Sequence, residues 1–122
     1  MKPTELRIGN LVLYEGKVVK VEQITKKKIG YHRYKGETRM NYARLQEVEP
    51  VPITGQLLLN NGFTYDENGC YYRDAFECSY DIYGNWYMSG NGNEYAIAPL
   101  DGVHDLQNAY NLVTKQELTL QL

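Results

Sequence analysis

The sequence predicts a β-rich α+β protein: a strongly curved β unit over residues 1–50, then a helix, an antiparallel β-meander and a C-terminal helix over residues 51–122. Three observations carry this reading. Twelve Tyr and eleven Gly stand against two Phe and three Met, a balance that suits half-exposed strands and tight turns better than helix packing. Turn signals at Glu15-Gly16, Lys35-Gly36, Asn68-Gly69, Gly84-Asn85 and Asn91-Gly92 punctuate short runs of β-branched and aromatic residues. A chain of 122 residues, 43% hydrophobic and 23% charged, has enough apolar material for a core and too little net charge to stay unfolded. It is one compact unit, or two small subdomains sharing a core (1–50, basic; 51–122, acidic and aromatic-rich), with no room for a large two-domain enzyme.

The elements follow in order. Leu11 to Tyr14 is apolar, and Lys17-Val18-Val19-Lys20-Val21-Glu22-Gln23-Ile24 has the β-branched content of a strand, so the two form a hairpin about Glu15-Gly16. A second hairpin spans Ile29 to Tyr42. With Lys35-Gly36 at its centre, Ile29 faces Tyr42 and Tyr31 faces Met40 on the core side, while His32 faces Arg39 and Tyr34 faces Glu37 on a solvated, cationic side. Glu49-Pro50-Val51-Pro52 cannot supply a continuous ladder because proline lacks a donor, so it reads as an extended connector. Thr54 is an N-cap for a short helix whose Leu57, Leu58 and Leu59 belong to the core and which stops at Asn60-Asn61-Gly62. The meander follows, with ten aromatics between Phe63 and Tyr95; pairing about its turns sets Trp86 opposite Tyr83 and Ile97. Asp101 caps a last helix with Val103, Leu106, Tyr110 and Val113 on its buried stripe and His104, Asn108 and Asn111 on the opposite one.

The net charge of −2 hides a division. Residues 1–50 carry eleven Lys and Arg against six acids, a surplus of five, whereas residues 51–122 carry two against nine, a deficit of seven. Such polarity can steer an anionic partner, hold the two halves together or drive head-to-tail association. The start, Met1-Lys2-Pro3-Thr4-Glu5, lacks the apolar run of a secretory signal, and no segment is long enough to cross a membrane, so the expectation is a cytoplasmic protein. Cys70 and Cys78 could meet across a hairpin, although a cytoplasmic setting favours free thiols. Two cysteines with His32 and His104 far away in the chain make no metal site, and nothing in the sequence asks for a cofactor.

Leu6-Arg7-Ile8-Gly9-Asn10-Leu11-Val12-Leu13-Tyr14-Glu15-Gly16-Lys17-Val18-Val19-Lys20-Val21 resembles the first hairpin of small SH3-like barrels. That resemblance implies architecture alone, since the fold serves unrelated functions. With Glu47-Val48-Glu49-Pro50-Val51-Pro52-Ile53-Thr54, Leu58-Leu59-Asn60-Asn61-Gly62-Phe63 and Val103-His104-Asp105-Leu106-Gln107-Asn108-Ala109-Tyr110, nearly the whole chain resembles small uncharacterised proteins of prophage-like and mobile regions of gut bacteria. The resemblance supplies no catalytic or binding residues; it implies an accessory protein of a mobile element.

Three groups of residues are candidate sites. Lys26, Lys27 and Lys28 with His32, Tyr34 and Arg39 combine cations for phosphates with flat rings for bases, the pattern of a nucleic-acid surface; the plainer reading is a solvated turn that discourages edge pairing. Tyr72, Tyr83, Trp86 and Tyr87 of the meander offer an aromatic interface, although tyrosines lining a small sheet are also ordinary core. The polar helix face of His104, Asn108 and Asn111 could hold a ligand or move a proton, but no Ser or Cys sits at a nucleophile spacing beside it. The sequence therefore points first to a non-enzymatic module for a protein partner or self-association. Nucleic-acid binding by the basic hairpin is the alternative, and a small enzyme acting through His104 is the third reading.

Overall fold

The computed structural model describes residues 1–90 and 93–122. The chain is β-rich α+β, with antiparallel sheets and two α-helices. It divides into two compact units, Met1–Val51 with Gly102–Asp105, and Pro52–Asp101 with Leu106–Leu122.

In the first unit β1 (Leu11–Tyr14) and β2 (Lys17–Lys20) form the expected hairpin, Tyr14 opposite Lys17. Both turn residues have positive φ, 51° at Glu15 and 75° at Gly16, the two-residue geometry whose twist matches the strands it joins. The strand predicted from Lys17 to Ile24 does not run straight. It bends at Val21 and resumes as β3 (Gln23–Ile24), which pairs with β4 (Lys28–Tyr31), which in turn pairs with β5 (Asn41–Arg44). A 3₁₀ turn, Leu45–Glu47, leads to β6 (Val48–Pro50), which returns antiparallel to β1. The predicted connector at Glu49-Pro50 is therefore partly an edge strand. Proline is tolerated as its last residue because an edge ladder can end where the donor is missing. The result is two three-stranded sheets, β2-β1-β6 and β3-β4-β5, around Leu6, Val12, Val21, Ile29, Tyr31, Ala43, Leu45 and Val48.

The second hairpin departs from its predicted register. Ile29 faces Ala43 and Tyr31 faces Asn41, so the pairs Ile29–Tyr42, Tyr31–Met40, His32–Arg39 and Tyr34–Glu37 do not form. A shift of one residue exchanges the faces: Ala43 is buried and Tyr42 is exposed. The cause is the loop over residues 32–40, which is organised around a buried carboxylate rather than closing in two residues. Glu37 accepts from the Arg33 backbone N–H at 2.8 Å, from Arg33 Nε and Nη2 at 3.0 and 2.8 Å, and from Asn41 Nδ2 at 2.6 Å. These bonds hold its carboxyl below the usual range.

In the second unit α1 (Gly55–Asn60) begins at Thr54, whose hydroxyl accepts from Leu57 N–H at 3.1 Å, a cap worth about 1 kcal/mol. Of its three leucines only Leu58 is fully buried, and Leu59 faces solvent. The meander is one five-stranded sheet in sequence order: β7 (Thr64–Tyr65), β8 (Cys70–Arg73), β9 (Phe76–Tyr80), β10 (Trp86–Gly90) and β11 (Asn93–Leu100). Trp86 lies opposite Tyr80 and Leu100, not Tyr83 and Ile97. Asp81 takes the backbone N–H groups of Tyr83 and Asn85 on its carboxylate, which makes residues 81–85 a loop and puts Tyr83 at its tip. The predicted turn Asn91-Gly92 lies outside the described residues. Helix α2 (Val103–Thr114), whose residues up to Asp105 count with the first unit and whose remainder counts with the second, has Val103, Leu106 and Tyr110 buried as its stripe requires. Within the second unit Tyr110 meets Phe63 and Phe76 at ring separations of 6.5 and 5.6 Å.

Candidate functional site: a basic groove on the first unit

Five of the cationic side chains of the first unit converge where the β3–β4 turn, the end of β5 and the N-terminal residues come together. The Thr25 hydroxyl accepts from the Lys27 and Lys28 N–H groups at 3.4 and 3.1 Å, a local turn that presents Lys26 and Lys27 outward. Lys28 sits directly across the ladder from Arg44. Leu45 N–H donates to Lys27 O at 2.9 Å, and Leu45 O accepts from the Met1 ammonium at 3.0 Å, which brings Lys2 alongside. The groove so formed has a volume of about 1020 Å³, and Lys2, Lys26, Lys27, Lys28 and Arg44 line it against one carboxylate, Glu5. The outer face of β4–β5 continues from it. Tyr42 is 47% exposed, and Lys28 Nζ lies 4.4 Å from its ring centroid, a cation–π contact.

The sequence-predicted nucleic-acid residues divide. Lys26, Lys27 and Lys28 are brought together, but His32 is half-buried and bound to the Glu22 carboxylate, so its ring is not an open stacking surface. Tyr34, 62% exposed, and Arg39 belong to the 32–40 loop and do not line the groove. Sequence reasoning missed two residues of the groove, Lys2 and Arg44, and one beside it, Tyr42. Arg44 and Tyr42 follow from the register that the buried Glu37 imposes, and Lys2 reaches the groove through a bond spanning forty-four residues, for which no local signal exists.

The other two candidate groups come apart. Tyr72 and Tyr87 lie on one side of the meander sheet and Trp86 on the other, since neighbours along a strand alternate, and Tyr83 stands alone in its loop. Tyr72 is engaged internally: its hydroxyl bonds to the Asp66 carboxylate, which raises the phenol and lowers the acid. Rings on the Trp86 side instead form a chain, Tyr65–Tyr71–Trp86–Tyr80, with centroids 4.8, 5.5 and 5.0 Å apart. His104 is not on an open polar face. It is 1% exposed, its Nε2 3.4 Å from Asp105 Oδ1, and Asn111 is spent on Gln116 O and the Glu117 carboxylate.

Cys70 and Cys78 cannot meet. Tyr71 faces Cys78 and Cys70 faces Ser79, so the two thiols point to opposite sides of the sheet, and neither forms a disulfide. Among the described residues no three His, Cys, Asp or Glu side chains gather to hold a metal, and no helix is long and apolar enough to cross a membrane. No family model, curated protein or solved structure matches this chain.

Proposed function

We propose that this protein binds nucleic acid through the basic groove of its first unit. The observation that carries the reading is the convergence of Lys2, Lys26, Lys27, Lys28 and Arg44 on one concavity, because a phosphate backbone is the ligand whose repeated charge rewards several clustered cations at once. The first unit itself reads as an SH3-like barrel. Its support is the strand order β2-β1-β6 and β3-β4-β5, with one bent strand serving both sheets. On the chain's resemblance to proteins of prophage-like and mobile regions, the protein acts as an accessory factor of such an element, without catalysis of its own.

The test is fluorescence polarisation of labelled single- and double-stranded DNA and RNA at about 50 and about 200 mM salt, conditions between which a few phosphate contacts cost a large factor in affinity. Binding that weakens steeply with salt is expected; absence of binding at the lower salt removes the reading.

A protein partner, or a second copy of the chain, is the second reading, and a specific observation favours it. Tyr65, Tyr80, Ile82 and Tyr83 of the second unit are all more than half exposed, Ile82 at 92%, and apolar area left open in this way suits an interface. Its signature is association that persists at high salt, read by sedimentation.

A further inference from the structure

Resting on the nucleic-acid reading, we infer that the groove and the outer face of β4–β5 beside it take single-stranded nucleic acid, with Tyr42, next to the groove, stacking one unpaired base while Lys28 and Arg44 hold the neighbouring phosphates. The argument starts from the outer face of β4–β5. Lys28 and Arg44 form one cross-strand pair, and the next pair on that face is Gly30 with Tyr42. The residue opposite the ring therefore contributes no side chain of its own. Gly30 is held to this identity by its neighbours: a Cβ there would lie 2.9 Å from both Gln23 Cβ and Met40 Sδ. The space above Gly30 is thus already taken by the side chains of Gln23 and Met40.

A half-exposed aromatic ring offers a flat apolar face on which another ring can stack. Here its near neighbours are cations, one of them over the ring itself at 4.4 Å. A duplex offers phosphates to such a surface but keeps its bases stacked inside, so the ring would contribute nothing. A single strand offers both, and stacking on an aromatic is indifferent to base identity because every base has a π-face. The arrangement of cation pair and half-exposed ring fits an unpaired base flanked by phosphates.

The experiment compares a labelled oligothymidine and oligouridine with a duplex of equal length, by polarisation, for the native protein, Tyr42→Ala and Tyr42→Phe, each checked for folding by circular dichroism. Tyr42→Ala should weaken single-strand binding by about five- to a hundredfold, leave the salt slope and the duplex affinity unchanged, and be matched by near-native behaviour of Tyr42→Phe, which keeps the ring. Single-strand affinity within twofold of native for Tyr42→Ala, or an equal loss for the duplex, overturns the stacking assignment while leaving the groove as a phosphate site. If the native protein binds neither oligonucleotide nor duplex, the nucleic-acid reading fails and takes this inference with it.

Discussion

Replacing Lys26, Lys27 and Lys28 together with Gln is the sharpest perturbation of the groove, because it removes three of its five lining lysine and arginine side chains and leaves the fold alone. All three are exposed, and surface substitutions of this kind usually stay within about 0.5 kcal/mol of native stability. If each lining cation neutralises one phosphate of a single strand, the logarithm of affinity should fall with the logarithm of salt at a slope of about −3.5 for the native groove and about −1.4 for the triple variant. Between about 50 and about 200 mM salt the native protein then loses about 130-fold in affinity and the variant about sevenfold. A polarisation titration across that range measures both slopes. A control carrying Lys17→Gln, Lys20→Gln and Lys35→Gln loses the same charge from exposed positions outside the groove, and its slope should remain near native. A triple-groove variant with the native slope would refute the geometric argument, and a control that flattens as much would reduce the effect to net charge.

The fold makes further predictions. A Cβ on Gly102 would fall 2.5 Å from Pro50 Cβ and 3.0 Å from Val51 O, so Gly102→Ala should cost about 1–3 kcal/mol by overpacking, seen as a lower urea midpoint at unchanged m; unaltered stability would show that the Pro50 segment gives way. Glu37 is lowered from 4.5 chiefly by its bond to the Arg33 backbone and then by the Arg33 guanidinium, so its contribution is present above about pH 4.5 and is lost as pH falls through the lowered folded value. Glu37→Gln should therefore be less stable than native at neutral pH, with the gap in urea midpoints closing in acid, and a gap independent of pH would refute it. Burial pushes the Cys78 thiol up to about 12, so a thiol reagent at neutral pH should modify Cys70 first and Cys78 only on unfolding; rapid modification of both in the native protein would contradict the register.

What the sequence made legible is local. The Glu15-Gly16 turn needs only two residues that tolerate positive φ, the Thr54 cap needs only the amide three residues on, and the stripe of Val103, Leu106 and Tyr110 is a matter of helical period. What it hid depends on partners distant in the chain. The β4–β5 register was set by a carboxylate that the alternation of residues marked as outward, and burying Glu37 against Arg33 and Asn41 moved Tyr42 to the surface and Ala43 inside. The strand at Val48–Pro50 exists because β1 supplies an edge some thirty-five residues earlier. The site followed the same division: the run Lys26-Lys27-Lys28 was readable, while Lys2, Tyr42 and Arg44 joined it only through that register and the bond from Met1.

The bend at Val21 has a consequence for how the first unit opens. Val21 is fully buried, its N–H donates to Asn10 O at 2.8 Å and its carbonyl accepts from Gly9 N–H at 2.7 Å, and the residues on either side of it feed different sheets. A fluctuation that freed Val21 would unseat β2 from β1 and β3 from β4 in the same event. The amides of the two sheets should therefore exchange with solvent deuterium as one cooperative unit, at a common opening free energy, rather than as two independently fraying layers.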